Sequence, residues 1–297
     1  MIQRLAIIGV GLIGGSLAQA LRQAAFVREI VGCGRDEAHL QKAVALGVID
    51  SYELDIARAV AGADMVVVCV PLGAMAGCFQ AMAGHLADDA VVTDVGSAKA
   101  SVVAAAEAAF GELPAGFVPG HPIAGTEKSG VEASFPQLFR DRRVIITPLP
   151  QSADWATERV AQMWREAGAE IEQMSIERHD EVLAATSHLP HLLAFGLVDC
   201  LRAMEEHEDI FRFAAGGFRD FTRIASSDPV MWRDICLTNR AALLEALAQF
   251  SQELEQLTAL VERGEGTELE VLFRRAKEAR DRYARQLDSW KAAFPAE

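Results

Sequence analysis

The feature that most constrains this chain is its start. The short apolar run Leu5–Ile8 leads into Gly9, Gly11 and Gly14, and a helical pattern opens directly behind them. This is a G-x-G-x-x-G spacing between a strand and a helix, and each glycine answers a different demand. Gly9 permits a tight turn, Gly11 lets backbone approach a pyrophosphate, and Gly14 lets the helix pack on the strand. The first helical turn, with Leu12 and Ile13, then offers unpaired N–H groups and the positive end of the helix dipole to phosphate oxygens. A dinucleotide site is the expectation, with Gly9, Gly11, Leu12, Ile13 and Gly14 as its first residues.

The pattern behind that turn agrees. Short runs rich in Val and Ile at 4–8, 29–33, 65–70, 90–94 and 143–147 alternate with helical patterns at 14–25, 36–46, 54–61, 73–86 and 98–110. Strands that are apolar on both faces and alternate with helices imply a doubly wound parallel sheet. A helix at 153–167 and a strand at 170–174 complete this region. From residue 176 the strand signals stop, and helical periodicity runs through 176–206, 208–224, 228–262 and 266–293. The expected architecture is α/β: an N-terminal Rossmann-type dinucleotide-binding domain over 1–175, followed by an all-α substrate-binding domain over 176–297. The long, leucine-rich helices of the second domain are suited to pairing two subunits, and equally to burying one another.

Bulk properties narrow the partners. With 28 Lys and Arg against 42 Asp and Glu, the net charge is −14, which argues against nucleic acid or an anionic membrane surface. No apolar stretch reaches membrane-spanning length without Pro, Gly or charge interrupting it. The five cysteines form no C-x-x-C pair, as expected of reduced thiols in a cytoplasmic protein.

Cofactor choice is tested at the end of the second strand, where an acid for the ribose 2′-OH is expected about 20 residues past the glycines. Gly34 stands there, followed by Arg35 and Asp36. Arg35 suits a 2′-phosphate, while Asp36 reads best as the N-cap of the next helix. The choice between NAD and NADP stays open, with Arg35 favouring NADP or dual use. Val70 and Pro71 end another strand and belong to the wall of the same crevice. Ser97 reads as the N-cap of a helix starting at 98. Lys99, a cation in that helix's first turn, opposes the dipole, which marks it for function or for a local salt bridge.

Residues 120–130, Gly-His-Pro-Ile-Ala-Gly-Thr-Glu-Lys-Ser-Gly, read as a loop after the strand-like Phe117-Val118-Pro119. His121 in this setting is a natural general base. Further on, His188 and His191 share a helix face, but no third ligand stands at a metal-binding spacing, and no metal is expected. Asp180 reads as either a group that orients its neighbours or a solvated acid.

Taken in order, these motifs resemble the prephenate/arogenate dehydrogenase family of tyrosine biosynthesis. The shared residues are Gly9-x-Gly11-x-x-Gly14-Gly15-Ser16, Asp94-x-Gly96-Ser97-x-Lys99, His121-Pro122-x-Ala124-Gly125-Thr126-Glu127-x-Ser129-Gly130, Ser187-His188-Leu189-Pro190-His191, and Gly216-Gly217-Phe218-Arg219-Asp220-Phe221-Thr222-Arg223-Ile224-Ala225 with Asp228-Pro229-x-Met231-Trp232. The resemblance implies oxidative decarboxylation of prephenate, arogenate or both, with hydride passing to NAD(P), and a homodimer paired through the helical domain. It places the base on His121 and its serine partner on Ser97. It places the carboxylate-gripping arginine on Arg223, whose planar fork suits that anion. Thr126, Glu127, His191 and Trp232 fall in the substrate region. An acid such as Glu127 near the substrate's side chain would favour arogenate, but Glu127 is equally placed to tie the loop to Arg223 or Lys128.

Two other readings share parts of this pattern. A β-hydroxyacid dehydrogenase has the same layout but uses a lysine of its helical domain, and no Lys occurs between Lys128 and Lys277. A non-catalytic nucleotide sensor needs no combination of Ser97, His121 and Arg223.

Overall fold

The leading apolar run forms β1 (Ile2–Ile8), and Gly11 precedes α1 (Leu12–Gln23). In the computed structural model, which describes residues 1–126, 128–204 and 211–293, β1 is the middle of a parallel sheet. The elements that build it follow in order: β2 (Val27–Cys33), α2 (Glu37–Ala45), β3 (Ser51–Glu53), α3 (Ile56–Val60), β4 (Met65–Val68), α4 (Leu72–Met82), β5 (Val91–Asp94) and α5 (Lys99–Phe110). Strand order is β3-β2-β1-β4-β5, with every neighbouring pair parallel. The order reverses between β1 and β4, and that reversal opens a crevice beyond the strand ends.

Alternation along β1 divides the core between the two faces of the sheet. Leu5 and Ile7 pack with Leu17, Leu21 and Trp164, while Ala6 and Ile8 pack with Phe79, Val102 and Phe117. Leu5, Ile7, Leu17 and Phe79 are fully buried. Burying a large apolar side chain contributes roughly 1.5–3 kcal/mol, so a continuous Val/Ile run is stable only as a strand covered on both sides.

Three expectations need correction here. β3 gives no apolar signal, because it is a three-residue edge strand of Ser, Tyr and Glu. Residues 143–147 and 170–174 do not extend the parallel sheet. They form β7 (Arg143–Ile146) and β8 (Glu170–Gln173) of a second sheet, ordered β6-β7-β8, with α6 (Asp154–Glu166) between them. Phe117 makes one parallel bridge with Val92, and then Pro119, which has no N–H to donate, ends that pairing. The chain turns away, with the Pro119 carbonyl accepting from Thr147 N at 2.9 Å. Finally, His121 lies on a strand, not in a loop: β6 (Gly120–Pro122) runs antiparallel to β7, with His121 opposite Ile145. Its Gly and Pro content is compatible with a short edge strand.

Beyond β8 the described residues are helical: α7 (Ile176–Leu183), a π turn at Ala184–His188, α8 (Leu189–Arg202), α9 (Gly216–Thr222), a 3-10 turn at Arg223–Ser226, α10 (Pro229–Thr238), α11 (Arg240–Arg263) and α12 (Gly266–Ala293). The helical pattern expected over 228–262 is broken at Asn239, the C-cap of α10. Part of the one expected over 208–224 lies outside the described residues. By length and composition the run Ile176–Arg202 is long and apolar enough to cross a membrane. It nevertheless buries His179, Asp180 and His188, and these residues hydrogen-bond to α5, β6 and Asn239.

The chain divides into two compact units, Met1–Arg240 and Ala241–Glu297. The smaller unit exposes Leu244, Leu254, Val261, Val271 and Phe273.

Candidate active site

The glycine turn is built as a cradle for phosphate. Gly9 has φ +100, and a Cβ added there would stand 2.5 Å from the Cys69 carbonyl oxygen. A Cβ on Gly14 would stand 2.4 Å from the Gly9 oxygen and 2.8 Å from Ile7 Cγ2. Outside Gly11 nothing lies within 4 Å. No side chain caps the start of α1, so its first-turn N–H groups face that space as an anion site. Leu12 and Ile13 are half-buried in this turn. Val70 packs on Gly9 from the end of β4, and Pro71, exposed, is the N-cap of α4. The His39 ring donates through Nε2 to the Val10 carbonyl at 2.7 Å, tying α2 to the turn. These features fit a bound dinucleotide. At the end of β2, Asp36 caps α2 by accepting from His39 N at 3.2 Å, so its carboxylate is engaged. Arg35 is exposed and Gly34 half-buried, with only Leu40 atoms near a would-be Cβ.

At the end of β5, Lys99 and Asp94 form a fully buried ion pair. Lys99 Nζ donates to Asp94 Oδ2 at 2.5 Å and to the Gly120 carbonyl at 2.6 Å. The Asp94 carboxylate also accepts from Gly96 N at 2.7 Å and Gly120 N at 3.2 Å. Burial lowers the Lys99 pKa, and the carboxylates of Asp94 and Asp180 oppose that shift. Lys99 is thus the structural partner of Asp94 and fastens β6 to β5.

Ser97 is not the cap of α5. The N-cap is Ala98, which has no side-chain acceptor. The cap is supplied from α7: Asp180 accepts from Lys99 N at 2.7 Å and from Ala100 N at 2.9 Å. A carboxylate at a helix N-terminus satisfies two orphan donors and complements the dipole. Ser97 is left half-buried, with its backbone beside the His188 ring.

His121 projects from β6 into this region and is 8% exposed. Its Nδ1 lies 2.9 Å from His179 Nε2, and His179 Nδ1 lies 2.7 Å from Asp180 Oδ1. Burial holds the His121 pKa well below the ordinary histidine value, reinforced by His179, Lys99 and His188. His121 therefore stays neutral and able to accept a proton through and below neutral pH.

The residues that the resemblance assigns to the substrate region from the C-terminal half lie on the helices that follow. Leu189 N donates to the Ala184 carbonyl, an i→i−5 bond that creates the π turn just before Pro190. Such turns shift helix register and recur at functional sites. Here the turn carries Ser187 and His188. Asn239 Nδ2 donates to the Asp180 carbonyl at 2.8 Å and faces His188 Nδ1 at 3.1 Å. Since the amide donates, His188 Nδ1 accepts and Nε2 carries the hydrogen. Burial pushes the His188 pKa down to about 4. His191 Nδ1 donates to the Ser187 carbonyl at 2.8 Å, and its ring stacks on Trp232 with centroids 3.5 Å apart. Burial and the neighbouring Arg223 lower the His191 pKa, against that hydrogen bond. Trp232 Nε1 is buried and has no hydrogen-bond partner among the described residues, and His188 Nε2 has the Ser97 backbone as its neighbour. A buried donor left unpaired marks a place where a polar ligand would restore what folding removed.

His121, His188, His191, Arg223 and Trp232 thus share one neighbourhood with the Ser97 backbone. Thr126 stands apart on the exposed loop after β6, where its Oγ1 accepts from Lys128 N at 3.2 Å. Glu127 lies outside the described residues. Sequence reasoning missed His179 and Asn239. For His179 the available signal was its place next to Asp180 in the first turn of a helix capped by Ser175. Asn239 gave none beyond its place at a helix break. Among the described residues no group of three or more His, Cys, Asp or Glu is placed to hold a metal ion.

Comparison with known proteins places this arrangement. Residues 17–173 match the family model described as prephenate dehydrogenase, nucleotide-binding domain, and residues 175–275 match prephenate dehydrogenase, dimerization domain. The cyclohexadienyl dehydrogenase of Zymomonas mobilis is 40% identical over 94% of this chain and 95% of its own length. The crystal structure of prephenate dehydrogenase from A. aeolicus, in complex with hydroxyphenyl propionate and NAD+, superposes with a TM-score of 0.89 at 39% identity, covering 95% of this chain and 99% of that one. Synechocystis arogenate dehydrogenase superposes with a TM-score of 0.81 at 27% identity, covering 94% and 99%. The chain belongs to the prephenate dehydrogenase family.

Proposed function

We propose that this enzyme of tyrosine biosynthesis oxidatively decarboxylates prephenate, arogenate or both, with His121 as the base that accepts the C4 hydroxyl proton. The observation that carries this reading is a neutral, buried histidine, hydrogen-bonded among the described residues through Nδ1 to His179, in the crevice of a dinucleotide fold. The bound nicotinamide supplies the hydride acceptor. As hydride leaves C4, the hydroxyl becomes strongly acidic, so a base of low pKa suffices. His121 takes the proton, CO2 departs from C1 leaving its bond pair to aromatise the ring, and the phenolate oxygen so formed takes the proton back from His121. Ser97 is assigned to the substrate hydroxyl. Arg223 is assigned to a substrate carboxylate, with Trp232 and the His191 ring stacked on it forming the adjacent wall. Thr126 and Glu127 are assigned to the same substrate from the loop after β6.

The Gly9–Gly14 turn with Leu12 and Ile13 holds the pyrophosphate, and Val70 and Pro71 border the nicotinamide. The engaged Asp36 and exposed Arg35 support NADP or dual use over a strict preference for NAD. The break between the two family matches supports a nucleotide-binding domain over 1–175 and a helical domain over 176–297. The name of the second match and the exposed apolar residues of α11 and α12 support a homodimer. A small anionic metabolite as substrate fits a cytoplasmic enzyme.

The test is a two-by-two assay of each substrate with each cofactor, repeated with His121→Asn. The expected loss in that variant is about a hundredfold or more in kcat. Turnover equal to the parent would remove His121 as base, and no turnover of either substrate by the parent would refute the function.

A further inference from the structure

We propose that His179 and Asp180 are positioning residues that fix which nitrogen of His121 carries its proton, leaving Nε2 as the free base. This rests on the reading of His121 as base and adds the groups that prepare it.

The hydrogen bonds run from the helix end inward. Lys99 N and Ala100 N belong to the first turn of α5, where backbone N–H groups have no intrahelical acceptor. They can only donate, so both Asp180 oxygens accept, at 2.7 and 2.9 Å, and the group is a carboxylate. Asp180 Oδ1 also meets His179 Nδ1 at 2.7 Å. A carboxylate cannot donate, so His179 Nδ1 carries a hydrogen. Burial lowers the His179 pKa despite Asp180, so the ring is neutral and its Nε2 is a lone pair. That lone pair lies 2.9 Å from His121 Nδ1, which must therefore donate. A neutral imidazole with hydrogen on Nδ1 has its only lone pair on Nε2.

Apart from the neutrality of the buried His179 ring, each step follows from the donor or acceptor character of the group before it, and the chain begins at backbone amides, whose character cannot change. His179 is fully buried, and Asp180 and His121 are 6% and 8% exposed, so water does not compete for these bonds. The charged and titratable groups around the pair are Lys99 and Asp94 from α5 and β5, Asp180 beside His179, and His188 from the π turn. When the substrate O–H bond breaks and the new N–H bond forms at His121 Nε2, the ring becomes a cation. Its Nδ1–H still donates to His179, and no further proton need move. Asp180 lies at the far end of the chain as the fixed negative charge.

The first test is tautomer assignment by imidazole nitrogen NMR on the free wild-type enzyme, labelled in histidine. His121 and His179 are both expected as the Nδ1–H form, opposite to the form free histidine prefers. Finding His121 with hydrogen on Nε2 would overturn the proposal without any activity measurement. The second test is kinetic, on His179→Ala and His179→Gln. The alanine variant should lose about a hundredfold in kcat, with both KM values within about twofold. The acid limb of its pH profile should move up toward the ordinary histidine value as the ring loses its packed neighbour. Glutamine, whose amide oxygen accepts from His121 Nδ1, should recover part of kcat. Equal kcat in wild type and His179→Ala, or a loss shared by both variants with an unmoved acid limb, would refute the positioning role. If His121→Asn is inactive while His179→Ala is normal, only this proposal fails; if His121→Asn is active, the base assignment itself fails.

Discussion

Replacing Lys99 by Met removes one partner of a completely buried ion pair. The Asp94 carboxylate keeps two backbone donors, Gly96 N at 2.7 Å and Gly120 N at 3.2 Å, but loses its counter-ion. Breaking a buried pair from one side costs roughly 3–5 kcal/mol, because an uncompensated charge is left in low dielectric. The two remaining N–H donors put this case at the lower end, about 3 kcal/mol. At roughly 2–4 °C per kcal/mol for a unit of this size, the melting temperature should fall by about 6–12 °C. Calorimetry and urea titration at pH 7.5 measure both quantities. The double variant Lys99→Met/Asp94→Asn carries no charge at this pair and should recover a substantial part of the loss. Activity should fall with stability in the single variant, since the Gly120 carbonyl also loses its lysine donor and His121 is the next residue on β6. A single variant within about 1 kcal/mol of the parent, or a double variant no more stable than the single, would show that this pair does not fasten β6 to β5.

Gly34→Asp should shift the ratio of kcat/KM toward NAD by roughly tenfold or more. It places a ribose-binding acid where the nearest atoms to the new Cβ are those of the Leu40 side chain, at 3.6–3.8 Å, and a charge-assisted hydrogen bond contributes about 1.5–3 kcal/mol. An unchanged ratio between the two cofactors would rule out position 34 as the discriminating site. Stability should also fall in mild acid. His121, His179 and His188 all titrate below the ordinary histidine value, so below about pH 6.5 the unfolded chain binds protons that the folded chain refuses. Their contribution is complete above pH 6.5 and is lost as pH drops toward each folded value. For His188 the drop from 6.5 to about 4 corresponds to about 3 kcal/mol. Melting temperatures measured from pH 7.5 to 4.5 should decline steadily, and a flat profile would contradict the buried neutral histidines.

What was legible in the sequence was whatever the chain settles within a few residues. The roles of Gly9, Gly11 and Gly14 follow from local backbone demands, and so does Asp36 as the cap of α2, bonding only three residues ahead. The parallel strands announce themselves because both faces are buried. What failed depends on residues far along the chain. Ser97 has the right side chain at the right place to cap α5, yet the cap comes from Asp180, 81 residues past Lys99. Lys99 does form the local salt bridge the sequence offered, with Asp94 five residues before it, but its second acceptor, the Gly120 carbonyl, lies 21 residues on. His121 lies on a strand only because Arg143–Ile146 arrives to pair with it. His179 gave only its place beside Asp180, since its partner His121 is 58 residues away and a buried histidine on a helix has no periodic signature.

Asp180 shows why these misses are connected. Its side chain completes α5, a helix of the nucleotide-binding region that has no local cap, and its Oδ1 also receives the hydrogen of His179. Its backbone carbonyl accepts from Asn239, whose amide also faces His188 and whose helix carries Trp232. One residue therefore joins the end of the parallel sheet, the His121–His179 pair and the cluster of His188 and Trp232. Under the proposed roles, docking of Ile176–Arg202 on α5 and preparation of His121 are the same event, because the hydrogen bonds that satisfy the helix end lead to the His121 ring. A substitution that tilts α7 by a fraction of an ångström should impair catalysis before it measurably destabilises the fold: the hydrophobic core is insensitive to so small a shift, whereas a chain of short hydrogen bonds in series is not.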